Sequence, residues 1–139
     1  SPETRAAMKD FGMKLGAAYQ IYDDCLDLVG SEDQFGKTLR TDLEKGKLTL
    51  PMLYLLEEAG DTQREILQKR IIQQEELDLT VLAGIAEYQG AIGRSLDYAT
   101  ALLREASESL SLLEESAYRQ ALSEMLNFLL KLLGSLQKG

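Results

Sequence analysis

The chain has 139 residues, enough for one domain with a hydrophobic core, and 23 acidic against 15 basic residues give it a net charge of −8. With no run of basic residues, that balance excludes non-specific nucleic-acid binding, because the surface repels a phosphate backbone. The sequence contains no histidine, which removes imidazole catalysis and the commonest zinc ligand.

The single Cys25 excludes an internal disulfide and fits a reducing compartment. No apolar run reaches spanning length, and the N-terminus does not have a signal-peptide pattern, so a cytoplasmic protein without a transmembrane segment is expected. Apolar residues make up 45% of the chain and aromatic residues only 6%, with two prolines. A Leu- and Ala-rich apolar set of that kind favours helices over strands.

In chain order, Ser1-Pro2-Glu3 suits a helix start: Ser as N-cap, Pro in the first turn, Glu at the positive end of the dipole. The helix is predicted to run to about Val29, with Gly30 as its stop. Residues 30–48 form a long polar loop, with room for a helical turn around 40–45. Thr49 and Pro51 open a helix from Met52 to about Ala59, closed by Gly60. Asp61 is the expected cap of a more polar helix to about residue 74. A shorter helix follows from about Asp78 to Tyr88, loosened by glycines at 84, 90 and 93. The last third carries the clearest periodicity. Leu96, Ala99, Leu103, Ala106, Leu110 and Leu113 alternate at three and four, as do Tyr118, Leu122, Met125, Leu129, Leu132 and Leu136. The break at Glu114-Glu115-Ser116 makes these an antiparallel helical hairpin with two packing seams. No alternating strand pattern occurs, and the expected fold is all-α.

The chemistry concentrates in the first helix. Asp23, Asp24 and Asp27 fall within five residues of an otherwise apolar stretch. Burying uncompensated carboxylates is costly, so the three belong at a wet cavity wall or on a metal. At 100° per residue, with Asp23 at zero, Asp27 falls at about 40°, Gln20 at about 60° and Asp24 at about 100°. Gly16 and Gly12 continue the stripe upstream. Glycine in a helix interior costs about 1 kcal/mol relative to Ala, so the pair suggests a close approach by a neighbouring helix or a ligand. Asp23 and Asp27, one turn apart, can share one divalent cation, and an all-carboxylate donor set favours Mg²⁺, Mn²⁺ or Ca²⁺. The spacing is not that of an EF-hand loop, and a di-iron site would need Glu-x-x-His. Two Gly-Lys pairs, Gly36-Lys37 and Gly46-Lys47, follow in the loop. Flexible lysines beside a carboxylate–metal site suit a polyanion such as a phosphate group, although two solvated loop lysines are an equal reading of the spacing.

The run from Gly16 through Gln20-Ile21-Tyr22-Asp23-Asp24-Cys25-Leu26-Asp27, with Gly36-Lys37, Asp42 and Gly46-Lys47-Leu48-Thr49-Leu50-Pro51, resembles the second aspartate-rich region of trans-isoprenyl diphosphate synthases, the polyprenyl synthetases. The likeness is strong over residues 10–59 and one of pattern elsewhere. It implies the C-terminal portion, 1–139, of an all-α helical bundle of the isoprenoid synthase type. It also implies a Mg²⁺-dependent prenyltransferase that condenses an allylic prenyl diphosphate with isopentenyl diphosphate, as a homodimer through the parent fold. Carried over, Asp23 and Asp27 hold Mg²⁺, Asp24 supports them, Gln20 sits near the reacting carbons, and Lys37 and Lys47 contact diphosphate oxygens. Tyr19 stands where Phe is usual, and Arg40 where the family usually has Gly. The family's first aspartate-rich motif does not occur in these 139 residues, so this chain alone is expected to be inactive. The rival expectations are a non-catalytic helical subunit that uses the 96–113 and 118–136 seams as an interface, and a terpene cyclase.

Overall fold

A computed structural model of the chain describes residues 1–29, 48–73 and 79–138. Six helices occupy them: α1 (Pro2–Val29), α2 (Leu50–Glu58), α3 (Asp61–Ile72), α4 (Leu79–Ile85), α5 (Gln89–Leu110) and α6 (Ala117–Lys138). No strand occurs among the described residues, in line with the all-α expectation. Lys37, Lys47, Arg40, Gly30 and the expected turn at 40–45 lie outside the described residues. The helices form two compact units, Ser1–Tyr22 with Leu96–Gly139, and Asp23–Ser95.

In the first unit, α1 starts as its sequence requires. The Thr4 backbone N–H donates to Ser1 Oγ at 3.1 Å, which satisfies one of the orphan donors of the first turn. Ala7, Phe11 and Ala18 are buried on one side of α1. From α5, the stripe Leu96, Ala99, Leu103, Ala106, Leu110, with Leu113 beyond it, is buried throughout, matching the first predicted seam. Full burial of Leu96 or Leu103 is worth roughly 1.5–3 kcal/mol. Polar groups tie α1 to α5 at its edge: Ser109 Oγ donates to Asp10, and Lys14 pairs with Asp10 at 3.0 Å and Glu105 at 3.6 Å. The α5–α6 turn is closed by Arg119, which donates to the Leu113 carbonyl at 3.0 Å, while Ser116 Oγ accepts the Arg119 N–H at 3.1 Å and caps α6.

The second predicted seam is rotated. The buried residues of α6 are Leu126, Leu129 and Leu133, whereas Tyr118, Met125 and Phe128 are exposed. On a helical wheel the core direction lies about 60° from the stripe centred on Met125. Both stripes obey three–four spacing and share Leu129, so periodicity alone does not choose between them.

In the second unit, α2 buries Pro51, Met52 and Leu55. Its terminal carbonyls would be orphans, and Arg64 of α3 supplies donors: Nε to Leu56 at 2.7 Å, Nη2 to Glu57 at 3.2 Å and to Ala59 at 2.9 Å. The N-cap of α3 is Gly60 rather than the expected Asp61, because Gln63 Oε1 reaches back to accept the Gly60 N–H at 3.1 Å. α5 begins at Gln89, earlier than its seam suggested, with Gly90 and Gly93 inside it. The Glu87 carboxylate accepts the N–H groups of Gln89 and Gly90, and this acidic cap starts the helix despite the glycines. Arg94 then fastens α5 to α2. Its guanidinium lies 4.0 Å from the Tyr54 ring centroid and pairs with Glu58 at 2.8 Å and Glu57 at 3.4 Å.

Candidate diphosphate and metal site on α1

α1 is amphipathic rather than buried all round. Its buried residues, Ala7, Phe11, Ala18, Ile21, Cys25 and Leu28, recur at three, four and seven and lie on the arc opposite Asp23. The acids therefore avoid the desolvation that their apolar neighbours suggested. Asp23 and Gln20 are exposed, and Asp24 and Asp27 are half-buried. Asp23 and Asp27 share one face a turn apart, so their carboxylates can reach one cation. Among the described residues no group of three His, Cys, Asp or Glu side chains converges on a metal-sized point. The described residues thus offer two carboxylate ligands, which suits a hard ion that keeps its waters and fills its remaining positions from phosphate oxygens, as Mg²⁺ does.

Cys25 lies within the acid run but points into the core, with no exposed surface. Burial pushes its thiol up to about 12, the charge of Asp24 acts the same way, and a hydrogen bond with Ser95 offsets part of the rise. A thiol so far from ionisation is a packing group, not a nucleophile.

Upstream of the acids, the same side of α1 opens into a groove of ≈ 430 Å³ within the first unit. Gly12, Leu15, Gly16 and Tyr19 form one wall; Met125, Phe128, Leu129 and Leu132 of α6 form the other. No charged side chain lines it. Tyr19, Met125 and Phe128 remain 56%, 54% and 63% exposed. A Cβ placed on Gly12 or Gly16 would meet nothing within 4 Å. The close approach anticipated at these glycines is thus not made by any described residue; the missing side chains leave room instead.

The profile of the polyprenyl synthetase family matches residues 1–88 of the chain. The chain belongs to the polyprenyl synthetase family. It is 37% identical over 138 residues to the short chain isoprenyl diphosphate synthase of Methanothermobacter thermautotrophicus, covering 94% of this chain and 40% of that protein. It is 36% identical over 123 residues to the octaprenyl diphosphate synthase of Haemophilus influenzae, covering 84% of this chain and 36% of that protein. Among solved structures it is similar to geranylgeranyl pyrophosphate synthetase from Pyrococcus horikoshii, at 28% identity and a TM-score of 0.72. It is equally similar in sequence, with a TM-score of 0.75, to polyprenyl synthase from Caulobacter crescentus complexed with calcium and isoprenyl diphosphate. Both alignments cover 94% of this chain and 40% of the other. The all-α fold is therefore that of the isoprenyl synthases, and the chain spans about 40% of the length of these relatives.

Within this polyprenyl synthetase chain, the sequence pointed to the acid stripe and missed the α6 wall of the groove. The available signal was the apolar face of α6, which is wider than one seam needs. Tyr118, Leu122, Met125, Leu126, Phe128, Leu129, Leu132 and Leu133 cover two adjacent stripes, and only one of them is core.

Proposed function

We propose that the chain is the C-terminal portion of a trans-prenyltransferase, whose parent condenses an allylic prenyl diphosphate with isopentenyl diphosphate as a homodimer in the cytoplasm. The observation that carries this reading is the pair of exposed Asp23 and half-buried Asp27, one turn apart on the family-matched helix α1. Asp23 and Asp27 hold Mg²⁺, which supplies charge stabilisation to the departing diphosphate. Calcium in the Caulobacter relative's complex supports a divalent cation as the partner of these carboxylates. Asp24 adds negative potential behind the pair. Gln20, one turn before Asp24, presents an amide to the reacting end of the substrate. Lys37 and Lys47 neutralise diphosphate oxygens as point charges. The sequence holds one aspartate-rich motif. The chain alone therefore binds diphosphate through one wall of the site and does not turn over.

An interaction subunit that uses the 96–113 and 118–136 seams fits less well, because the first seam is buried in the core of the first unit, although Tyr118 and Met125 of the second are exposed. The test is titration calorimetry of pyrophosphate with the 139-residue chain. Binding is expected with Mg²⁺ and not with EDTA, and Asp23→Asn should weaken it at least tenfold, or about 1.4 kcal/mol. Equal affinity for wild type and Asp23→Asn, or binding indifferent to Mg²⁺, rejects the assignment.

A further inference from the structure

Among the described residues, Ser95 of α5 is the one polar side chain that is fully buried, with no exposed surface. Packing does not require a hydroxyl there, because alanine fills nearly the same space and is the better helix former. The Ser95 hydroxyl donates to the Ala91 carbonyl at 2.8 Å, which leaves its lone pairs as acceptors. Cys25 is likewise 0% exposed and is hydrogen-bonded to Ser95, so the thiol is the donor of that pair. Both residues and the three acids belong to the second unit. Cys25 stands between Asp23 and Asp27 in the chain, about 200° from the first and about 160° from the second on the wheel. The bond therefore holds α1 from directly behind the acid stripe.

We infer that Ser95 is a positioning residue for the metal pair: through Cys25 it fixes the rotation of the last turns of α1, and with it where the Asp23 and Asp27 carboxylates point. This step rests on the proposed metal role of those two acids. Leu28, the other buried residue of these turns, is 3% exposed, but apolar burial has no direction and tolerates a small turn of the helix. A hydrogen bond is directional and resists it. The lever is long enough to matter. A side chain at the rim of a helix lies about 5–6 Å from the axis, so about 10° of rotation carries a carboxylate about 1 Å. Mg²⁺ demands near-octahedral geometry at about 2.0–2.1 Å, and such a displacement takes one carboxylate out of reach. Ca²⁺ takes about six to eight oxygens at about 2.3–2.6 Å in a flexible shell, and follows the carboxylates. The contact thus bears on which divalent ion the pair holds, not on whether the helix forms.

The test is titration of pyrophosphate into the 139-residue chain with Mg²⁺ and, separately, with Ca²⁺, for wild type, Ser95→Ala, Cys25→Ala and the double variant. Circular dichroism and urea melts check the fold. Alanine at 95 loses a hydrogen bond and gains helix propensity, so its urea midpoint should move little. Cys25→Ala breaks the same bond from the other side, so either single variant can decide. With Mg²⁺, Ser95→Ala should weaken binding about tenfold, the low end for groups that orient metal ligands. With Ca²⁺ the loss should be less than about threefold. Cys25→Ala should do the same, and the double variant should bind no more weakly than either single one, because both substitutions remove one contact. Wild-type affinity in Ser95→Ala with Mg²⁺ overturns the inference. Equal losses with the two ions, or losses that add in the double variant, overturn it too and make Ser95 a packing residue. Failure of pyrophosphate to bind the wild type with either ion overturns the diphosphate reading first, and the inference with it.

Discussion

Asp10 is a single carboxylate held between helices. It accepts a hydrogen bond from Ser109, which is the main reason its carboxyl lies below the usual range, and Lys14 at 3.0 Å adds to the lowering. Lys14 is raised in turn, chiefly by its bond to Asp10. The sign follows from linkage. A carboxyl whose folded-state pKa is depressed contributes stability that is complete above the unfolded value, near 4, and is lost as pH falls through the lower folded value. Asp10→Asn should therefore lower stability at pH 7 and flatten the loss of stability below about pH 4. Urea melts of wild type and variant at pH 7 and pH 3 check this. A gap between the two proteins that does not shrink at pH 3 would show that the charge of Asp10 contributes nothing. Both partners are part-exposed, so 1 M salt should narrow the pH 7 gap as well.

At the scale of the element, α6 decides between two apolar stripes, and mutation can tell them apart. Leu133 is 1% exposed, so Leu133→Ala should cost about 2–5 kcal/mol. Met125 and Phe128 are more than half exposed, and alanine at either should leave stability within about 0.5 kcal/mol. Thermal or urea unfolding of the three variants measures the order; the reverse order would return the core to the stripe centred on Met125. The same contrast explains what the sequence made legible. The α5 seam could be placed because its polar face leaves one apolar stripe and no other. The acid stripe on α1 could be placed because any helix fixes which residues share a face, whatever packs on it. The start of α5 could not, because a carboxylate two residues upstream overrides two glycines. The α6 register could not, because a groove and a core ask for the same residue types. The lysine loop rested on resemblance to the family, and it lies outside the described residues.

For the whole molecule, the balance of charge matters most. Twenty-three acids against fifteen bases make a chain that repels diphosphates unless a cation intervenes. On the function proposed above, Asp23 and Asp27 on α1 hold such a cation, from one side only. The relatives are about two and a half times as long as the segment matched here, since the chain covers 40% of them. Loss of one preorganised charge-stabilising contact costs about 10²–10³ in rate, and on the proposed function the first aspartate-rich motif, which this sequence does not hold, would supply several such contacts that act together. The isolated chain should therefore bind pyrophosphate with Mg²⁺ yet form no product from geranyl diphosphate and radiolabelled isopentenyl diphosphate above a protein-free blank. Extractable labelled prenyl alcohol after phosphatase treatment is the measure. Turnover by the purified chain would mean that one acidic motif suffices, and the two-walled site would have to be abandoned. Turnover in the parent polypeptide, lost on Asp23→Ala with the fold retained by circular dichroism, would place the missing contacts in the part of the parent that this chain does not contain.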